Sequence, residues 1–319
     1  MRIIDLHADI GMDVLAKHKK GETDILKRYH IDKLVKGGIW LVGMACFFEG
    51  NESMADLKAM VNALRKEIDA NPETIHPYLG SSPHPDKINA MITLEGMCAI
   101  KESIPSTLKW LYDQGVRVAS LTWNDENALS TGVRGDPSRG LTTLGRKAIS
   151  TMNRLGMIVD VSHASEKSFW DILSYSKSPV IATHSNARVL CNVERNLSDQ
   201  QIKAIARQKG LIGLVAAPIF ISCDKAKQDA DTLAKHARHI ATITSVDVLS
   251  IGFDFMDFLE GPFGMTPMPN DLRDATSAQN LIQALLNNGF SIEETTKIAW
   301  GNAASFLESN LMANQPEKA

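Results

Sequence analysis

A chain of 319 residues, 44% of them apolar, is long enough for a large α/β domain and can fill its own core without disulfides. A formal net charge of −3, with no Lys/Arg cluster, argues against a polyanion-binding surface, so nucleic acid is not expected as a partner. No stretch approaches the ~18 uninterrupted apolar residues of a membrane span, and no charged-then-apolar leader precedes the first strand-like segment. The four cysteines (Cys46, Cys98, Cys191, Cys223) are far apart and show no CxxC spacing. They read as reduced, buried thiols of a cytoplasmic protein.

Residues 3–7 (IIDLH) predict a short strand running directly into Ala8 and Asp9, which leaves His7 and Asp9 together at a strand end. Residues 38–48 are almost continuously apolar, as in a strand buried on both faces, and 54–70 carry an amphipathic helix. A third strand, 89–94, ends at Glu95, where Gly96 permits a tight exit. Helix 106–114 and strand 116–122 lead to a polar stretch, 123–141, that reads as a long pocket-forming loop. Helix 144–155 follows. Two β-branched runs, 157–161 and 179–183, are then followed by His163 and His184, with a helix capped by Ser165 over 165–176 between them. Strand, helix, strand in this span is a βαβ unit, so both histidines emerge at the same, carboxyl end of a parallel sheet. Ser198 caps a helix over 199–208, and 211–216 is a strand. A helix over 231–244 precedes the last strand, 246–252, which leads to Asp254. Residues 260–270 form a Gly/Pro/Met-rich loop, and helices 277–288 and 292–307 close the chain.

Eight strands alternating with helices predict an α/β fold of the TIM (β/α)8 barrel type, one domain over 1–319. An open doubly wound sheet is the alternative, but GxGxxG is absent after the first strand. His7, Asp9, Glu95, His163, His184 and Asp254 all fall at or just past strand ends. Singly, each has an ordinary explanation as a core histidine or a helix-capping acid. Jointly they predict a metal site without thiolate, suited to Zn²⁺, Mn²⁺, Co²⁺ or Fe²⁺. Three imidazoles and three carboxylates exceed the needs of one ion and suit two, about 3.5 Å apart, sharing a carboxylate and a hydroxide. His236 and His239 are expected on an outer-helix surface or in local hydrogen bonds, His18, His30, His76 and His84 are expected to be exposed, and Met265 and Met268 to line a loop.

Through DLHAD, ITLEG, the pair VDVSHAS and ATHSNAR, and IGFDF, nearly the whole chain resembles the membrane (renal) dipeptidase family of zinc dipeptidases, peptidase family M19. The resemblance implies a metallodipeptidase with two Zn²⁺ per chain, Mn²⁺ or Co²⁺ being substitutes. His7, Asp9 and Glu95 would hold one ion and Glu95, His163 and His184 the other. Asp254 would orient the hydroxide and shuttle its proton, and Arg195 would take the free carboxylate of a dipeptide. The family's animal members place an oxyanion-stabilising histidine where LTWND here puts Trp123, so Trp123 or Asn124 is the expected replacement. GFDFMDF stands where the family has G-S-D-F-D-G, which makes the pocket more apolar. The expected partner is a small dipeptide, with a homodimer allowed for and no nucleic acid or membrane. The other readings are an amidohydrolase or lactonase on the same barrel, or a metal-binding homologue of weak activity.

Overall fold

The computed structural model describes residues 1–259, 268–269 and 271–312. In chain order the elements are β1 (Ile3–Ala8), α1 (Ile10–Lys19), α2 (Ile31–Gly37), β2 (Ile39–Phe47), α3 (Met54–Asp69), β3 (Ile75–Pro77), β4 (Ile88–Glu95) and α4 (Ile104–Asp113). They continue with β5 (Val116–Ser120), α5 (Thr143–Leu155), β6 (Ile158–Asp160), α6 (Glu166–Tyr175), β7 (Ile181–Ala182), α7 (Asp199–Arg207) and β8 (Leu211–Leu214). Last come α8 (Pro218–Ile221), α9 (Ala230–Ile243), β9 (Leu249–Ile251), α10 (Gln279–Asn287), α11 (Ile292–Thr296) and α12 (Asn302–Met312).

Eight of the strands close on themselves: β1 pairs in parallel with both β2 and β9, β2 with β4, and the rest follow in sequence. This is the expected (β/α)8 barrel. The ninth strand, β3, was not expected; it pairs with Ile88 to Ala90 of β4, below the stretch from Ile92 to Leu94 that pairs with β5. Inside the barrel, Ile4, Leu6, Leu41, Met91, Val118, Ile158, Ile181 and Leu211 form one cluster with Phe306 and Leu307 of α12. Trp40, at the start of β2, packs on the same cluster, so the plug fills the amino ends of the strands. The carboxyl ends are left for chemistry.

Some local expectations are corrected. Residues 246–248 form a 3₁₀ turn, because the Ser245 hydroxyl accepts from the Asp247 amide and competes with strand pairing; only Leu249–Ile251 is strand. His30 is buried rather than exposed, bonded to Asp13 beside Lys17 on α1, a buried charge cluster that hides the amphipathic pattern of residues 10–37. His236 is fully buried rather than on the helix surface, and its hydrogen bonds, to the Ala187 amide and the Ile221 carbonyl, are not local; His239 bonds to Asp199, also distant in sequence. Cys46, Cys98 and Cys191 are buried free thiols, but Cys223 is exposed, and although distant in sequence Cys191 and Cys223 lie with their sulfurs 3.6 Å apart. Most of the 260–270 loop, Met265 included, lies outside the described residues. No helix among the described residues is long and apolar enough to cross a membrane.

Candidate metal centre

The six expected side chains meet at the carboxyl end of the barrel. Strict alternation along β1 would turn His7 away from the side that Ile4 and Leu6 share. The pairing slips, however: Asp5 faces Val42 and Ala8 faces Met44, three residues opposite two. Such a bulge re-aims the chain. The Asp5 carboxylate ties it, accepting from the His7 and Phe253 amides through one oxygen, and burial pushes this carboxyl up to about 7. Glu95 ends β4, and Gly96, at φ +85°, turns the chain away at once. His163 and Asp254 both adopt left-handed backbone, at φ +66° and +58°. For residues with a Cβ this costs about 1 kcal/mol or more each. The His163 carbonyl accepts from the Val133 amide, and the Asp254 amide donates to the His7 carbonyl, which hold the two turns in place.

Glu95 stands at the centre. Its Oε2 is 3.1 Å from His7 Nε2, and its Oε1 is 2.6 Å from His163 Nε2 and 3.4 Å from His184 Nε2. His7 Nε2 lies 3.4 Å from Asp9 Oδ1 and 3.9 Å from Asp254 Oδ1. Two of the tautomers follow from neighbours. His163 Nδ1 donates to the Asn124 amide oxygen at 2.8 Å, and His184 Nδ1 donates to the Thr183 hydroxyl at 2.8 Å, whose own proton goes to Asp160. Both Nε2 atoms therefore turn lone pairs inward, only 3.0 Å apart, an arrangement that repels unless a cation lies between. His7 Nε2 and Asp9 Oδ1 are buried without a hydrogen-bond partner. An imidazole and carboxylate set of this kind fits divalent cations.

The electrostatics point the same way. Burial, with the Arg195 charge, lowers His163 to about 4, and burial with His7 holds His184 well below its usual range, so both rings are neutral at neutral pH, the form that can ligate a cation. Burial opposes a charge on His7, but Glu95 and Asp9 outweigh it and hold His7 well above its usual range. A proton held there marks a place for positive charge. Burial and Glu95 push Asp9 up to about 6, and burial with Asp9 and Glu95 pushes Asp254 well above the usual carboxylate range. Excess negative charge is packed here.

Above the ligands is a cavity of about 360 Å³. Asp9, Glu95, His163 and Asp254 line it with polar groups, Met12, Phe47, Ile219, Phe220 and Met256 with apolar ones, and Trp123 and Asn124 line it too. Trp123 packs edge-on against Phe47 and its ring centre is 6.0 Å from that of His163. Arg195 is drawn in behind this wall. It donates to the Ser185 hydroxyl and the His184 carbonyl, its Nε has no hydrogen-bond partner, and its guanidinium lies over the Phe220 ring. Sequence reasoning missed Asp5, Asp160 and Thr183, whose hydrogen bonds hold His7 and His184 without lining the cavity, and Arg134 at its rim. The available signal was an acid or hydroxyl one to three positions before each histidine.

A closed parallel barrel with imidazoles and carboxylates converging at its carboxyl end defines a metal-dependent hydrolase. The chain belongs to the membrane dipeptidase family, peptidase family M19, whose model matches residues 1–318, and it is a dipeptide-hydrolysing metalloenzyme by class. Relatives include an uncharacterized protein encoded 5′ of pqqA in Klebsiella pneumoniae, 34% identical over 70% of this chain and 83% of its own. An uncharacterized dipeptidase of Schizosaccharomyces pombe is 29% identical over 91% of this chain and 74% of its own. A crystal structure of a metallopeptidase from Rhodobacter sphaeroides, liganded with a phosphinate mimic of L-Ala-D-Ala, matches with a TM-score of 0.85 at 22% identity. That match covers 97% of this chain and 99% of the other, and shows a shared fold.

Proposed function

We propose that the protein hydrolyses free dipeptides with two divalent ions, Zn²⁺ or in its place Mn²⁺ or Co²⁺, sharing Glu95. The observation that carries this reading is the division of one buried carboxylate, with Oε2 toward His7 and Oε1 toward His163 and His184. His7, Asp9 and Glu95 would hold one ion; Glu95, His163 and His184 would hold the other. Divalent ions held there would supply Lewis acidity, lowering the pKa of a water and polarising the scissile carbonyl.

The chain's own residues do the rest. Asp254, on the His7 side of Glu95, takes the proton that the attacking water gives up and returns it to the departing amine. Asn124 keeps the His163 lone pair turned inward, and Trp123 forms the wall beside the carbonyl where the family's animal members have a histidine. Arg195 has one uncommitted nitrogen with which to meet the substrate carboxylate once its loop contacts adjust.

The test is a panel of L-L and L-D dipeptides, the latter included because the Rhodobacter sphaeroides relative holds an L-Ala-D-Ala mimic. Each is assayed with added Zn²⁺, Mn²⁺ or Co²⁺. Metal-dependent release of free amino acids is expected. Turnover of lactones or N-acyl amides with no dipeptide cleaved would overturn the proposal in favour of another hydrolase on this barrel.

A further inference from the structure

Resting on the dipeptidase reading, we infer that Arg134 at the cavity rim selects dipeptides that carry an acidic side chain, Asp or Glu. Among the described residues lining the cavity, Arg134 is the only lysine or arginine, and much of the wall around it is apolar. Its position is fixed by the backbone. The Arg134 amide donates to the Asn124 carbonyl at 2.7 Å, the Val133 amide to the His163 carbonyl at 3.0 Å, and the Gly132 amide to the Asp125 carbonyl at 3.1 Å. A Cβ at Gly132 would fall 2.0 Å from the Trp123 carbonyl oxygen, so this segment is pressed directly onto the one that carries Trp123 and Asn124. Arg134 is thereby tied through its own amide to Asn124, and through the preceding Val133 to the backbone of a candidate metal ligand, His163, rather than carried on a free loop.

The guanidinium lies over the Trp123 indole, 4.8 Å from its centre. A planar cation laid on an aromatic face keeps its N–H edge free to bind a carboxylate in a two-point fork. Its acidic neighbour, Asp125, is 3.8 Å away, with both side chains more than half exposed. Such a pair is worth little, and a substrate carboxylate displaces it readily. Arg134 makes no ion pair with Asp9, Glu95 or Asp254 among the described residues, so it stands back from the reacting centre against the indole. That suits a group extended on a side chain, whereas the main-chain carboxylate falls to Arg195.

The test compares matched dipeptides that differ only in charge, Glu against Gln and Asp against Asn, at each of the two positions, with the metal-loaded enzyme. The wild type is expected to favour the acidic member by about ten- to a hundredfold in kcat/KM, the range of a charge-assisted hydrogen bond, and less at high salt. Arg134→Met should bring the ratio toward one, and Arg134→Glu should shift preference to Lys- or Arg-containing dipeptides. Thermal melting of both variants checks folding. Equal treatment of Glu and Gln by the wild type, or a ratio unchanged in Arg134→Met, overturns the inference while dipeptidase activity stands. Failure to cleave any dipeptide removes the dipeptidase reading itself and the inference with it.

Discussion

Asp254 occupies a left-handed backbone position, anchored through its amide to the His7 carbonyl and with Oδ1 3.9 Å from His7 Nε2. A strained conformation persists only where the surroundings impose it, and here it turns a carboxylate toward the two-sided Glu95. That position allows two roles, ligand or proton carrier, and one substitution separates them. Asp254→Asn keeps the size and an oxygen, but cannot accept a proton at neutral pH. Turnover should drop by ~10² or more, the usual weight of general acid–base catalysis, while the metal content stays unchanged. Loss of an ion, with the rate restored by excess Zn²⁺, would make Asp254 a ligand instead. At this scale the sequence was informative about which imidazoles and carboxylates would converge, because a His or Asp directly after an apolar run marks a strand end. For Asp5 and Asp160 it offered only their place two or three positions before a histidine, since an acid inside a β-branched run does not reveal which backbone amides its oxygens will bind.

Helix α9 shows what an element can hide. His236 lies fully buried on it, with Nδ1 accepting from the Ala187 amide at 3.1 Å and Nε2 donating to the Ile221 carbonyl at 2.8 Å. It joins the segment after β7 to α8, whose Ile219 and neighbouring Phe220 form the cavity wall. The Nδ1 contact requires the neutral ring, since a protonated Nδ1 could not accept from the Ala187 amide, and burial lowers the group to about 4 from an ordinary 6.5. Between those values the unfolded chain takes up the proton and the folded chain does not, so stability falls as pH drops through that window and is unaffected above it. The loss should reach about 3 kcal/mol by pH 4. Melting curves of the wild type and His236→Gln across pH 4 to 7 check this: the variant should show a shallower acid loss, and parallel curves would contradict it. An i, i+3 histidine pair on a helix was legible, but its burial was not, because that depends on α8, four residues that no periodicity announces. The βαβ unit around His163 and His184 was legible for the opposite reason: its strands, its cap at Ser165 and its helix all follow local rules.

At the scale of the molecule, barrel closure brings together side chains from β1, β4, β6, β7 and β9 that are up to 247 positions apart between His7 and Asp254. The plug of α12 closes the amino ends, and the opposite end holds the imidazole and carboxylate cluster, in which His7 Nε2 and Asp9 Oδ1 are buried without a hydrogen-bond partner. The eight barrel strands, and the end at which the six candidate side chains gather, were readable from alternation. The accessory strand β3 was not, being three residues long and ending in proline. The central claim is that one carboxylate serves two ions. It is tested most directly by elemental analysis of wild type and Glu95→Gln, purified without chelator and compared at equal folded fraction. The account predicts two divalent ions per wild-type chain and a loss at both positions in the variant. At most one ion in the wild type even after added metal, or loss of a single ion from Glu95→Gln, would contradict it.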